Sequence, residues 1–276
     1  MTTSKPPVRV GVALGGGAVR GAAHIGVLAA LDEAGLAPSV ITGTSAGAIV
    51  GGLYAAGRSP REIAQIATKL RWMRLVHPTV NRRSLLDTRR LRTFLDEALG
   101  GRHFDDLERR FAAVACELTT GARRVLVEGS VADAVLASAA IPGVFPPVDR
   151  DGIQLVDGGL VDLVPAALAR SLGADVVVAV DVSGPLPRRA PTTMLQILVA
   201  ATHLQTGVAE ALARDADLVL SPAVDEFAFW ELSRIPEFER AGREAAERAL
   251  PVIRALCDVV DARQRWQETA ENQAEW

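Results

Sequence analysis

Short apolar runs alternate with helical patterns along this chain, and this alternation restricts its fold more than any other feature. The valine-rich runs Val8–Leu14 and Asp175–Asp181 lack the sustained apolar–polar alternation of a strand that is exposed on one face. Continuous apolar runs of this length are typical of strands buried on both sides. The sequence therefore predicts an α/β fold with a mainly parallel sheet covered by helices on both faces.

The remaining predicted elements follow the same order of strand and helix. Further strands are expected at Ser39–Thr42, Ile153–Asp157 and Leu218–Leu220, with a hairpin formed by Phe111–Leu118 and Arg123–Glu128. Helices are expected at Ala22–Ala34, Ala46–Ala56, after the capping box Ser59–Glu62, at Asp87–Leu99, Val131–Ala140, from Val164, at Thr192–Arg214 and at Glu237–Leu256. No repeat or long linker divides the chain, so we expect one domain at 8–258, a flexible N terminus at 1–7 and a polar, frayed tail at 259–276.

The charge balance and the cysteine count exclude several classes of protein. The 276 residues carry 30 Lys+Arg against 33 Asp+Glu, and a net charge of −3 argues against a nucleic-acid binder held by phosphate contacts. Cys116 and Cys257 are too few for a disulfide scaffold and are expected as small buried side chains. The N terminus lacks the apolar segment of a secretory signal, and no stretch approaches the roughly 18 apolar residues of a membrane span. We therefore expect a soluble, cytoplasmic protein.

Gly43-Thr44-Ser45-Ala46-Gly47 is a Gly-x-Ser-x-Gly pentapeptide between a predicted strand and a predicted helix. This is the setting of a nucleophile elbow, in which Gly43 and Gly47 permit a sharp turn that exposes the serine hydroxyl. The N terminus of the following helix favours developing negative charge. The pattern also occurs in plain turns, but its setting favours Ser45 as a nucleophile.

A second glycine-rich turn, Gly15–Gly21, also joins a predicted strand to a predicted helix. Glycines there let the main chain approach an anion, which fits either a dinucleotide pyrophosphate or the oxyanion of an acyl-transfer intermediate. A dinucleotide site needs an acidic residue at the end of the second strand, whereas this chain has Thr42-Gly43-Thr44-Ser45 at that place. The oxyanion interpretation fits better.

A serine nucleophile needs a base within hydrogen-bond distance. Ser45, Asp157 and His203 stand in the order of an α/β-hydrolase triad, but His203 lies inside an apolar helical run, where a core or interface histidine is the simpler interpretation. Asp157 ends a predicted strand, and Gly158 and Gly159 follow it, so we expect its side chain at the carboxyl edge of the parallel sheet. Asp157 is the better candidate, with an Asx-turn or helix cap as the alternative.

These features together resemble the patatin-like phospholipase family, especially its short bacterial members related to the neuropathy target esterase domain. The likeness covers most of residues 8–220 and rests on five blocks in family order, namely Leu14–Leu28, Gly43–Gly47, Ser138–Val148, Val156–Leu160 and Val178–Ser183. The resemblance implies a three-layer α/β/α sandwich and a Ser–Asp dyad, with Ser45 as nucleophile and Asp157 as base. It also implies an oxyanion hole built from the main-chain amides of Gly16, Gly17 and Ala18, near Arg20. Gly15, Gly21, Gly43, Gly47, Gly158 and Gly159 support these motifs, and no metal or cofactor is required.

Two positions depart from the usual family pattern. Ala18 stands where a fourth glycine is common, and we expect its methyl group to be tolerated if its φ is negative. Asp162 stands where the family often has asparagine, and we expect it to raise the pKa of Asp157 by like-charge repulsion.

The resemblance implies a fatty-acyl ester of a lipid as substrate. Peripheral contact with a membrane is a separate expectation. An acyltransferase, and a non-hydrolytic protein that binds an acyl ligand or a regulatory partner, remain alternatives, and oligomeric state is left open. Four aromatic side chains are expected to pack in the core, with an acyl tunnel or membrane contact as the alternatives: Phe227, Phe229, Trp230 and Phe238. The predicted helix Thr192–Arg214 is also expected to pack in the core, with a cover over the acyl pocket or a dimer face as the alternatives. Solvated charges are favoured over head-group contacts at Arg123-Arg124 and Arg188-Arg189.

Overall fold

The computed structural model describes residues 7–69, 77–81, 84–184, 197, 215–224 and 232–274. In these ranges the helices are α1 Ala23–Glu33, α2 Ala46–Ala55, α3 Pro60–Lys69, α4 Arg89–Leu99, α5 Val131–Ser138, α6 Ala166–Ser171 and α7 Ile235–Ala274. The strands are β1 Val10–Leu14, β2 Val40–Thr44, β3 His77–Asn81, β4 Ser84–Asp87, β5 Arg110–Glu117, β6 Arg123–Leu126, β7 Val148–Arg150, β8 Ile153–Asp157, β9 Val176–Val180 and β10 Leu218–Leu220. Short 3-10 turns at Ala18–Ala22 and Gly158–Leu160 follow β1 and β8.

The main sheet is parallel over most of its width and antiparallel at one side. Its strand order is β10-β9-β1-β2-β5-β8-β7, and β6 pairs separately with β5. The five strands from β10 to β5 run parallel, whereas β6 and β8 each run antiparallel to β5, and β7 runs antiparallel to β8. Among the described residues, the predicted strands and helices are present in the predicted order and the predicted hairpin is confirmed, whereas β3, β4 and β7 were not predicted. β3 and β4 form a separate two-stranded sheet.

Helices cover the two faces of the sheet unequally. Val12 and Leu14 of β1 face a large apolar cluster that includes buried residues of α1, α2, α4, α5 and α7. Ala13, between them, faces a smaller cluster with residues of α6 and the segment before it. This alternation along β1 follows from the two-residue period of a strand. The result is the expected three-layer sandwich.

The C-terminal helix differs most from its prediction. α7 continues through Ala274, where the sequence predicted a helix that ends at Leu256 and a frayed tail. Its last part keeps helix-forming residues and an ion pair of i,i+4 spacing, with Arg265 Nη2 3.1 Å from Asp261 Oδ2. Phe238 is fully buried in the core, as favoured above. Phe227, Phe229, Trp230, Arg188-Arg189 and, except for Ile197, Thr192–Arg214 lie outside the described residues.

Cys116 is buried and Cys257 is half-buried, and neither forms a disulfide. Among the helices that the structure describes, none combines the length and the apolar character needed to cross a membrane.

Candidate active site

The carboxyl ends of β2 and β8 meet end to end against β5. Thr44, the last residue of β2, pairs with Val114 in the parallel direction, and Asp157, the last residue of β8, pairs with Ala115 in the antiparallel direction. Because Val114 and Ala115 are consecutive, the residue after β2 lies next to the end of β8. The expectation that Asp157 ends a parallel strand is therefore wrong: its strand approaches the site from the opposite direction.

The turn after β2 has the backbone of a nucleophile elbow. Ser45 has φ 54° and ψ −119°, a conformation that non-glycine residues seldom adopt. The flanking glycines are required by close packing, since a Cβ on Gly47 would lie 2.0 Å from the Leu14 carbonyl oxygen. A Cβ on Gly43 would lie 2.6 Å from the main chain of Gly47. The turn predicted at Gly43–Gly47 is present, and it places Ser45 at the N terminus of α2.

Ser45 and Asp157 are joined by a hydrogen bond. Ser45 Oγ donates to Asp157 Oδ2 at 2.7 Å, and Asp157 Oδ1 accepts the Gly159 N–H at 2.8 Å. Ser45 is 9% exposed and Asp157 only 3% exposed. Burial raises the pKa of Asp157 to about 6, although the bonds from Gly159 and Ser45 oppose the rise. A carboxylate with this pKa is a stronger base than an ordinary aspartate and is still ionised at neutral pH.

Asp162 does not act on Asp157 as the sequence suggested. The cause of the raised pKa of Asp157 is burial, and repulsion by Asp162 is not among its causes. The Asp162 carboxylate is paired instead with Arg123, whose Nε lies 3.0 Å from Asp162 Oδ2. Burial raises the pKa of Asp162 itself, and the charge of Arg123 opposes that rise. Arg124 is paired with Glu117, and both arginines are exposed, which agrees with the solvated charges expected there.

The glycine-rich turn after β1 lies beside Ser45, because a Cβ on Gly16 would be 3.4 Å from the Cβ of Ser45. Its first two amides are engaged: Gly15 N–H donates to the Val180 carbonyl at 3.0 Å and Gly16 N–H to the Leu163 carbonyl at 3.1 Å. Gly16 is therefore not a free donor in this structure, in contrast to the expectation. The N–H groups of Gly17 and Ala18 have no hydrogen-bond acceptor among the described residues.

Ala18 adopts φ 49°, so the negative φ under which its methyl group was expected to be tolerated is not present. Arg20 is fully buried, and its Nη1 donates to the Ser183 carbonyl, which ties this turn to the segment after β9. Gly21 packs closely on the elbow helix, since a Cβ there would lie 2.4 Å from the Cβ of Ala46. The two glycine-containing turns are thus in direct contact.

A protein-family model matches the part of the chain that contains this site. Residues 12–170 match the model described as patatin-like phospholipase, a region that contains both turns, Ser45 and Asp157. The chain belongs to the patatin-like phospholipase family. The resemblance drawn from the five sequence blocks is confirmed.

Individual relatives agree with this assignment. An uncharacterized NTE family protein of Mycobacterium tuberculosis is 37% identical over 178 residues, which are 64% of this chain and 49% of that protein. Lysophospholipase NTE1 of Coccidioides immitis is 35% identical over 182 residues, 63% of this chain and 11% of that protein. The match therefore spans about half or less of these relatives. The crystal structure of VipD from Legionella pneumophila superposes with a TM-score of 0.52 at 14% identity, over 93% of this chain and 68% of that chain, and supports the fold alone.

Two polar side chains at the site received no role from the sequence. His24 is fully buried, and its Nε2 donates to the Gly15 carbonyl at 2.8 Å. Burial lowers the pKa of His24 to about 4, so the ring is neutral and supports the glycine-rich turn by a single N–H. Ser138, the last residue of α5, contacts the elbow through its hydroxyl. Its presence in the block Ser138–Val148 was the only signal in the sequence.

Among the described residues, no other histidine is identified as a base for Ser45. His103 precedes the 3-10 turn Phe104–Asp106, and His203 lies outside the described residues. Within the parts of the chain that are described, no group of three or more His, Cys, Asp or Glu side chains is arranged to hold a metal ion.

Proposed function

We propose that this chain hydrolyses fatty-acyl esters of lipids through an acyl-enzyme formed on Ser45, with Asp157 as the general base. The observation that carries the proposal is the 2.7 Å hydrogen bond from Ser45 Oγ to Asp157 Oδ2 in a buried turn. The backbone of Ser45, with φ 54°, supports the same role, since elbow geometry presents a serine hydroxyl to a substrate.

In the first half of the reaction, Ser45 Oγ attacks the acyl carbonyl carbon while Asp157 takes the hydroxyl proton. The carbonyl oxygen becomes an oxyanion, for which the Gly17 and Ala18 N–H groups and the N terminus of α2 are the proposed stabilising groups. The tetrahedral intermediate then collapses. The bond between the carbonyl carbon and the alcohol oxygen breaks, and protonated Asp157 returns its proton to the leaving alcohol.

In the second half, a water molecule attacks the acyl-enzyme and gives a proton to Asp157. A second tetrahedral intermediate forms, and its bond to Ser45 Oγ breaks as Asp157 returns the proton to the serine. The products are the free fatty acid and the regenerated dyad. Each step uses the same carboxylate alternately as base and acid, a role suited to a pKa of about 6.

The substrate class is proposed from the relatives. One of them is named a lysophospholipase, and the chain shares 35% identity with it over 182 residues. We therefore propose a lysophospholipid, reached by peripheral contact with a membrane surface, as the first substrate to examine.

The test is labelling with a fluorophosphonate, followed by peptide mapping, on the parent, Ser45→Ala and Asp157→Ala. We expect modification of Ser45 in the parent, no modification of Ser45→Ala, and labelling at least about 10³-fold slower in Asp157→Ala. Release of fatty acid from lysophosphatidylcholine should follow the same order. Labelling of a folded Asp157→Ala at the parent rate would refute the dyad, and transfer of the acyl group to an added alcohol in place of water would identify an acyltransferase.

A further inference from the structure

The last residue of α5 and a residue just after it are hydrogen-bonded to the main chain of the two proposed dyad residues. Ser138 is fully buried, and its Oγ accepts the Ser45 N–H at 3.0 Å. Two residues later, the Ala140 carbonyl accepts the Asp157 N–H at 2.9 Å. One three-residue segment therefore contacts the nucleophile and its base, which are separated by 112 positions in sequence.

The direction of the Ser138 hydrogen bonds is determined by its single hydroxyl proton. That proton is donated to the Val114 carbonyl at 2.6 Å, so Ser138 Oγ can only accept from Ser45. Val114 lies on β5, and it is the residue that pairs with Thr44 at the end of β2. Ser138 thus ties the elbow to the strand against which β2 and β8 meet.

The main chain of Ser45 needs such a restraint. Its positive φ belongs to a sparsely populated conformation, which persists only where surrounding contacts hold it. The Ser45 N–H is used by Ser138 and so is not a donor to an oxyanion. Any effect of Ser138 on the reaction therefore acts through the placement of Ser45.

We propose that Ser138 is a positioning residue that holds the elbow so that Ser45 Oγ stays within hydrogen-bond distance of Asp157. This inference rests on the proposed function, because it assigns Ser138 to the same dyad. Loss of the hydroxyl frees the Ser45 N–H and lets the serine leave its strained conformation. The distance between Ser45 Oγ and the carboxylate then increases, whereas the surface that binds substrate is unchanged.

The test compares Ser138→Ala with a matched control, Thr42→Val. Thr42 is also fully buried, and its Oγ1 donates to the Pro165 carbonyl at 2.8 Å, with no hydrogen bond to either dyad residue. With p-nitrophenyl butyrate as substrate, we expect Ser138→Ala to lower kcat by about 10- to 100-fold and to change KM by less than about twofold. Thr42→Val should retain kcat within about threefold, and Ser138→Thr should recover most of the kcat lost in Ser138→Ala.

A pH profile separates positioning from general destabilisation. The hydrogen bond from Ser45 lowers the pKa of Asp157, so a weaker bond in Ser138→Ala should move the acidic limb of kcat/KM to higher pH. The limb should not move in Thr42→Val. A kcat within about threefold of the parent in folded Ser138→Ala, or equal losses in both variants, would overturn the proposal.

Amide hydrogen exchange supplies a readout that does not depend on activity. In a peptide spanning residues 40–50, we expect the Ser45 amide to exchange at least about tenfold faster in Ser138→Ala than in the parent. Unchanged exchange would overturn the proposed restraint. An inactive parent that shows the faster exchange on substitution would refute the proposed function and leave the restraint intact.

Discussion

Two strand-to-helix turns meet at the candidate site, and they differ in which groups they hold in place. The turn after β2 holds Ser45, whose N–H bonds to Ser138 and whose carbonyl accepts the N–H groups of Ala48 and Ile49. The turn after β1 holds Gly15 and Gly16 through their own N–H groups. The next two N–H groups, those of Gly17 and Ala18, have no acceptor in the described part of the chain. The turn after β2 orients a side chain. The turn after β1 leaves two main-chain N–H groups without an acceptor among the described residues.

Each turn contains one non-glycine residue with positive φ, at +54° for Ser45 and +49° for Ala18. Such conformations cost on the order of 1–3 kcal/mol each. At Ser45 the strain accompanies a side chain that the proposed reaction requires. At Ala18 the proposed reaction uses only the N–H, so the strain of its methyl group serves no step of the chemistry. This difference predicts opposite outcomes for the same change at the two positions.

The largest effect is expected when Ser45 is replaced by glycine. Ser45→Gly removes the proposed nucleophile and should lower kcat/KM for lysophosphatidylcholine by at least about 10³-fold. Because glycine accepts positive φ, the variant should unfold at a urea concentration no lower than that of the parent. Activity that persists in purified Ser45→Gly would show that the elbow does not carry the nucleophile.

The packing of the two turns predicts the next effect. Gly47→Ala places a Cβ 2.0 Å from the Leu14 carbonyl oxygen and should lower the free energy of unfolding by about 3 kcal/mol or more. Gly16→Ala is the matched control, since its Cβ meets the end of the Leu163 side chain at 3.0 Å, Ser45 Cβ at 3.4 Å and the Thr44 carbonyl oxygen at 3.7 Å. Gly16→Ala should lower the free energy of unfolding by less than about 1 kcal/mol. Equal urea midpoints for the two variants would contradict the tighter packing of the elbow.

Asp157, the proposed base, should reduce the stability of the fold at neutral pH. Burial raises the folded-state pKa of Asp157 to about 6, above its ordinary value of 3.8, so the folded protein binds this proton more tightly than the unfolded chain does. Ionised Asp157 therefore destabilises the fold above pH 6, and this penalty disappears as pH falls toward 4. Asp157→Asn, an inactive variant, should be more stable than the parent by about 1–3 kcal/mol at pH 8 and by much less at pH 4. Urea unfolding at both pH values measures this, and a gain that is the same at pH 4 and pH 8 would contradict it.

The same pKa predicts the pH dependence of the reaction. Asp157 must be ionised to accept the Ser45 proton, so kcat/KM should be constant above pH 6 and fall about tenfold for each pH unit below it. His24, which supports the glycine-rich turn, does not titrate near pH 6, because its pKa is about 4. The profile should therefore keep its midpoint in Ala18→Gly. A midpoint near pH 4 in the parent would show that Asp157 is not the base in its buried state.

The sequence was sufficient to predict these two turns but not to assign their hydrogen bonds. Glycine spacing around Ser45 and at Gly15–Gly21 reports local backbone requirements, and both turns lie where they were predicted. The occupied N–H of Gly16 depends on Leu163, which is 147 positions away in sequence and whose approach no local pattern encodes. The pairing of Asp162 with Arg123 likewise depends on how β6 and β8 flank β5.

The direction of β8 was also not predictable from the sequence. The apolar run Ile153–Asp157 predicted a strand with the correct bounds, but a run of five residues carries no signal of parallel or antiparallel pairing. Only the antiparallel approach of β8 brings its last residue to the end of β2. The assignment of Asp157 as the base was therefore made for a geometric reason that differs from the one the structure gives.

The smallest expected effect is the one that most sharpens the comparison of the turns. Ala18→Gly removes the methyl group from a residue at φ 49° and keeps its N–H, so the strain is relieved while the proposed donor remains. The gain is partly offset by the greater freedom of glycine in the unfolded chain, and we expect a net stabilisation of about 1 kcal/mol or less. kcat/KM should stay within about threefold of the parent, in contrast to Ser45→Gly. A large loss of activity in stable Ala18→Gly would mean that the methyl group, and not only the N–H, places this turn beside Ser45.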